Sequence, residues 1–348
     1  DFDLIAEGGS RRESTSRLQY IVDYYKTLQE AYGKKCLWGT QNMFSNPRYV
    51  RGAATSPDFR VLAYAAAQTK DAIDATIALG GLGHVFWGGR EGYAFFDNTD
   101  MELELQNLGR FLKMARDYAR SQGFKGKFFI EPKPREPMTH QYDYDAATTI
   151  GFIRQNGLQD DFMLNIEANH ATLAGHTFEH ELEIARINGM LGSVDLNTGD
   201  PLLGWDTDHF DINTQKLINP MLVVLENNGL AGGLNFDAKL RRESTDLKDL
   251  FHAFIGSMEA AALALLIADR LLHDPVYQQL TRGAYSSFDT SDGWRFRAHD
   301  FKLEGLSQIA NDLGSDPKPE SGHEEEIKRR VELIKNEVIA EEMGFSPY

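Results

Sequence analysis

The chain has 348 residues, 42% of them hydrophobic and 25% charged, a single cysteine and a formal net charge of −16. That length supports one large domain, or two ordinary ones, with a full core. Cys36 alone excludes an intrachain disulfide framework and suits a reducing compartment, and the acidic balance argues against a nucleic-acid partner. The longest uninterrupted apolar run, 260–268, is shorter than a bilayer span, and no basic segment followed by a greasy one opens the chain. A cytoplasmic protein with no membrane partner is expected.

Short apolar runs alternate with longer helical patterns, the signature of a βαβ series. Strands are predicted at 36–39, 84–88, 127–131, 162–167, 191–197 and 233–237. A helix starts near Asp58, and in the next interval Leu105, Leu108, Phe111, Leu112, Ala115 and Tyr118 fall three and four apart. Others start near Tyr144, Phe178 and Leu247, the last carrying the apolar face 260–268, which reads as buried against the sheet. Thr40, Trp87, Glu131, Glu167, Asp195 and Asp237 stand at successive strand ends, one strand and one helix apart. Polar residues at every C-terminal strand end favour a parallel barrel over an open sheet. The fold class is therefore α/β, a (β/α)₈ TIM barrel with six of its eight units visible and the other two expected before Asp1.

From about Gly283 the composition shifts toward Ser, Asp and Gly. A short helix is predicted around 306–313. A final helix follows, with Ser321 and Glu324 as a capping box, an apolar stripe of Ile327, Val331, Ile334 and Val338, and Gly344 at its end. The chain divides into a barrel, 1–282, and a helical extension, 283–348, which either covers its own barrel or packs on another subunit.

Chemistry concentrates at the strand ends. Glu131 and Lys133 are two apart in Ile-Glu-Pro-Lys-Pro, so they point to one side of a backbone stiffened by proline. Glu167 and His170 are three apart after the fourth strand, and Asp195, the pair Asp206 and Asp208, and Asp237 follow. Singly, each acidic residue reads as a helix cap or a solvated loop residue. Seven such groups converging on one barrel mouth would repel one another, and cations are the natural resolution. The donors suit Mg²⁺, Mn²⁺ or Co²⁺, and their number allows two ions if one carboxylate is shared.

Seven stretches carry a resemblance to a known family: LWGTQNMFSNPRY (37–49), FWGGREGY (86–93), IEPKPREP (130–137), HQYDYD (140–145), NIEANHATLAGHTFEHE (165–181), GDPLLGWDTDHF (199–210) and GGLNFDAKLRRESTD (232–246). Over most of its length the chain resembles xylose isomerase of the longer class II type. The resemblance implies a first metal held by Glu131, Glu167, Asp195 and Asp237, and a second held by Glu167, His170, Asp206 and Asp208. It implies Lys133 at the sugar's O1, and Trp38, Thr40 and Trp87 around the sugar. It also implies a homotetramer converting D-xylose to D-xylulose, and D-glucose to D-fructose, by a two-metal hydride shift.

The opening Asp1-Phe2-Asp3 matches the end of the family's F-H-D-x-D pattern. Asp3 aligns with the aspartate that orients the catalytic histidine, and the histidine itself is expected before residue 1. Leu196, Thr198 and His209 depart from the family beside the metal-ligand loops. The alternative is an inactive, metal-binding fragment or subunit lacking that histidine. A phosphodiester-cleaving relative on the same barrel is disfavoured by the negative charge, and relatives of that kind lack the lysine of the Glu-Pro-Lys-Pro stretch.

Overall fold

A computed structural model describes residues 6–240 and 243–344. Two compact units are present: Asp1–Ile212 with Val223–Met258, and Asn213–Leu222 with Glu259–Tyr348.

The first unit is built on a six-stranded parallel sheet: β1 (Trp38–Thr40), β2 (Gly83–Trp87), β3 (Lys127–Glu131), β4 (Phe162–Glu167), β5 (Leu191–Asp195) and β6 (Gly233–Asn235). Each strand pairs in parallel with the next one in the sequence, the order of a (β/α) barrel. These strands read as nearly unbroken apolar runs because both faces are covered. Neighbouring residues point to opposite faces, so Phe128 and Phe129 fill different layers. Phe128 stacks on Phe162 at 5.1 Å between centroids, with Phe124 and Phe86 at 5.4 and 6.2 Å. Phe129, fully buried, lies against Gly83, Gly192 and Gly232, where any Cβ would collide with its ring. Three separate segments thus leave room for one side chain.

The helices follow their local signals. Asp58, Asp100 and Asp145 cap α2 (Phe59–Ala78), α3 (Met101–Ser121) and α4 (Ala146–Gln155), each accepting a backbone N–H from the first turn. Next come α5 (Ala168–Leu173), α6 (Phe178–Ile187), α7 (Thr214–Glu226) and α8 (Leu247–His273). Before all of them, α1 (Arg11–Tyr32) runs from its Ser10 cap to Gly33, whose φ of 62° ends the helix. Its weakly apolar face hid it in the sequence.

The run predicted as a strand over 191–197 stops at Asp195. The Leu196 N–H donates to the Asn235 carbonyl, and Asn197–Thr198 turns off to pair antiparallel with His209–Phe210. In α8, Ala260, Ala261, Ala264, Ile267, Ala268 and Leu271 are buried. By length and composition alone this helix is long enough and apolar enough to cross a bilayer, a property the nine-residue run 260–268 understated.

The second unit contains α9 (Pro275–Arg282), α10 (Ser291–Arg297), α11 (Leu303–Asn311) and α12 (Glu324–Glu342). Asp274 caps α9 through Tyr277 N–H and receives a two-pronged bond from Arg330 of α12, at 2.9 and 2.5 Å. Ile334 and Val338 of the predicted stripe are buried. The capping box predicted at Ser321 and Glu324 does not form. His323 takes the cap position at φ 50°, and the Ser321 hydroxyl accepts from His323 N–H instead.

Replacing Phe128 by Ala removes the ring at the centre of the aromatic layer. The expected cost is about 3–5 kcal/mol, seen as a lower urea midpoint with an unchanged denaturant slope. Phe128→Leu should cost clearly less.

Candidate active site

The strand ends bring four carboxylates together. Glu131 closes β3, Glu167 closes β4 and Asp195 closes β5, with Glu167 and Asp195 directly opposite in register. Asp237 lies two residues past β6 at φ 39°, after Phe236 has been anchored on Phe210 and Phe254. One oxygen from each of Glu131, Glu167, Asp195 and Asp237 lies within 4.8 Å of the others. Glu131, Glu167 and Asp195 are buried, whereas Asp237 is exposed and marks the open side.

So much negative charge out of water is costly. Burial, then the charges of Asp195 and Asp237, hold Glu131 well above the usual carboxylate range. Glu167 is raised by burial and then by Asp206, Glu131, Asp237 and Asp195. Burial and Asp237 push Asp195 up to about 7. Its Oδ1 is buried without a hydrogen-bond partner. A hard divalent cation fits this set, because it would satisfy the oxygens and neutralise the charge together.

His170 follows from local helix geometry. Glu167 is the residue before α5, so one turn later His170 faces back on it, with Nε2 3.3 Å from Glu167 Oε1. The same nitrogen is 3.2 Å from Asp206 Oδ2, and Nδ1 lies 3.5 Å from Glu131 Oε1. Burial lowers its pKa, keeping the imidazole neutral and able to donate a lone pair. His170 thus stands between the four-carboxylate set and Asp206.

The remaining pair is less converged. Asp206 Oδ2 accepts from Lys133 Nζ at 2.7 Å, and Asp208 Oδ2 from Lys239 Nζ at 2.8 Å. Burial alone would raise Asp206, but the bond to His170 and the Lys133 charge bring it well below the ordinary value. Burial works against the Lys133 ammonium, and Asp206 outweighs it, so its pKa rises. Lys133 also lies over the Trp87 ring, 5.1 Å from the centroid.

Trp87 packs edge-on against Phe44 at 4.2 Å. The indole N–H groups of Trp38 and Trp87 are buried without partners. The Thr40 hydroxyl donates to the Val85 carbonyl, so in this state it is committed to the backbone. Asp3 lies outside the described residues.

Three asparagines were not legible as site residues. Asn165 Nδ2 donates to Glu131 Oε2 at 3.1 Å and Asp195 Oδ2 at 2.5 Å. Asn197 Nδ2 joins Glu167 Oε1 to the Asp237 carbonyl, and Asn169 Nδ2 holds Asp206 Oδ1. Asn165 precedes Glu167 by two on one strand face, and that spacing was the available signal.

Fold and site together define a barrel enzyme whose strand ends carry a divalent-cation type of carboxylate cluster. Solved structures agree on the fold. A D-tagatose 3-epimerase-like protein matches 77% of this chain and 88% of its own, with a TM-score of 0.55 at 17% identity. A D-psicose 3-epimerase from Clostridium cellulolyticum matches 74% of this chain and 86% of its own, with a TM-score of 0.51 at 13% identity. Residues 282–332 match the family model of the XylA2 C-terminal domain. A xylose isomerase of Xanthomonas oryzae pv. oryzae is 54% identical over 332 residues, 95% of this chain and 74% of its own length. That of Bacteroides thetaiotaomicron is 53% identical over 93% of this chain and 74% of its own length. The chain belongs to the xylose isomerase family and is a sugar isomerase.

The raised carboxyl groups make a prediction for the metal-free chain. A group whose pKa is higher folded than unfolded contributes stability below its unfolded value and loses it as pH rises through the folded one. For Asp195 that window runs from 3.8 to about 7. The thermal midpoint in EDTA should therefore fall between pH 4 and pH 7.5, and adding Mg²⁺ or Mn²⁺ at pH 7.5 should restore it. A midpoint that is flat across this range would contradict the electrostatic account.

Proposed function

We propose that the chain interconverts D-xylose and D-xylulose, with D-glucose and D-fructose as a second pair, in a metal-dependent reaction. The observation that carries this reading is the convergence of Glu131, Glu167, Asp195 and Asp237 on one small volume. In this reading these four hold a first divalent cation, and Glu167, His170, Asp206 and Asp208 a second, with Glu167 shared. When bound, such cations lower the pKa of the sugar's C2 hydroxyl and polarise the C1 carbonyl, the two conditions for hydride transfer from C2 to C1.

The chain's own residues supply the rest. Lys133 donates from Nζ to the sugar O1, where negative charge develops as the hydride leaves C2. Glu136, 3.7 Å from Lys133, and Asp206 keep that nitrogen charged. Trp38 and Trp87 wall the sugar and keep out bulk water, which would exchange protons with O1 and O2. Neutral His170 keeps its lone pair for a ligand role. Asparagines 165, 169 and 197 fix the carboxylates in place, as outer partners do around metal ligands. Asp3 belongs to the ring-opening step. The helical extension, 283–348, is a subunit contact in a homotetramer, and the enzyme works in the cytoplasm.

The test is D-xylulose formation from D-xylose by the purified chain with Mg²⁺ or Mn²⁺. The expected result is turnover that EDTA abolishes. Lys133→Met should lower kcat by about 10²–10³, the usual cost of losing one donor to a developing oxyanion. A folded, metal-loaded chain without turnover would leave metal binding alone as its activity, and an unchanged rate in Lys133→Met would remove the lysine from the reaction.

A further inference from the structure

A second group of histidine and carboxylate side chains, sharing no residue with the mouth cluster, lies at the start of α6. His176 immediately precedes Thr177, the residue that opens α6, and His180 and Glu181 fall in the first turn. Their ligating atoms all lie within 4.8 Å of one another. The two imidazoles stack with centroids 4.9 Å apart and planes 28° from parallel. His176 Nε2 is 3.3 Å from Asp145 Oδ2 and 3.9 Å from Glu181 Oε1.

Both carboxylates are oriented by their other oxygen. Asp145 Oδ1 accepts from Thr148 N–H and Glu181 Oε2 from Ala146 N–H, each at 2.7 Å, so together they satisfy two free donors of the first turn of α4. That leaves Asp145 Oδ2 and Glu181 Oε1 turned toward His176. The converged group offers two nitrogens and one pre-set oxygen, with His180 exposed for access, Glu181 buried behind and Asp145 Oδ2 beside His176. Because it carries twice the nitrogen of the mouth cluster, this donor set suits a borderline cation over Mg²⁺.

We propose that His176, His180 and Glu181 form a second cation site at the start of α6 that takes Zn²⁺ or a similar borderline divalent ion, with Asp145 orienting His176. Binding there would stabilise the folded chain in proportion to its occupancy.

The experiment uses the full chain, stripped with EDTA and then given excess Mg²⁺ to fill the mouth. Bound Zn²⁺ is counted during titration for the wild type, His180→Ala and His176→Asn. The wild type should bind one Zn²⁺ more per chain than either variant, and Zn²⁺ should raise its thermal midpoint by more than theirs. His180 is exposed, so His180→Ala should keep the wild-type circular dichroism and metal-free midpoint. Equal Zn²⁺ counts in the wild type and a folded His180→Ala would overturn the site and leave the cluster as a hydrogen-bonded helix start.

Discussion

Four carboxylates held within 4.8 Å of one another, three of them buried, are the constraint around which the first unit is organised. Like charges in a low-dielectric interior repel strongly, and the protein relieves that repulsion in three ways at once. Protons are held more tightly, as the raised Glu131, Glu167 and Asp195 show. Amide donors from Asn165 and Asn197 satisfy particular oxygens. Lysines are drawn onto the neighbouring aspartates, Lys133 to Asp206 and Lys239 to Asp208. Each of these is weaker compensation than a divalent cation, which the cluster is suited to accept.

The strand positions follow directly from the sheet. Parallel pairing sets Trp87 opposite Glu131 and Glu167 opposite Asp195, so neighbouring strands end side by side at the mouth. His170 is the clearest case. It reaches Glu167 because α5 starts at once and three residues make about one turn. The loop residues Asp206 and Asp208 have no such frame, and their positions depend on a two-residue antiparallel ribbon and on lysines from other elements.

That difference explains what could be read from the sequence. The predicted strands at 127–131 and 162–167 coincide with β3 and β4, because their apolar runs are bounded by polar residues on both sides. The strand predicted over 191–197 overran because Leu196 is apolar and buried yet belongs to a turn-off, which hydrophobicity alone does not separate from a strand. The capping box at Ser321 failed because the pattern S-x-x-E says nothing of the backbone angle at His323. Likewise, the charged residues of the site stood out by type, whereas Asn165, Asn169 and Asn197 look like ordinary polar residues in the sequence and bond the carboxylates only in the fold.

Phe129 shows how the interior beneath this mouth is specified. One ring occupies space left by Gly83, Gly192 and Gly232 on three separate segments, so the layer under the carboxylates is set by one large residue and three absences. Those four positions are sterically coupled. A larger residue at any of the glycines is tolerable only with a smaller one at 129, and a smaller residue at 129 leaves a void that no single glycine change fills well. A Cβ at Gly192 or Gly232 would also meet Met163 or Ser193, so even a smaller residue at 129 does not free those two positions, and the floor of the site is locked from more than one side.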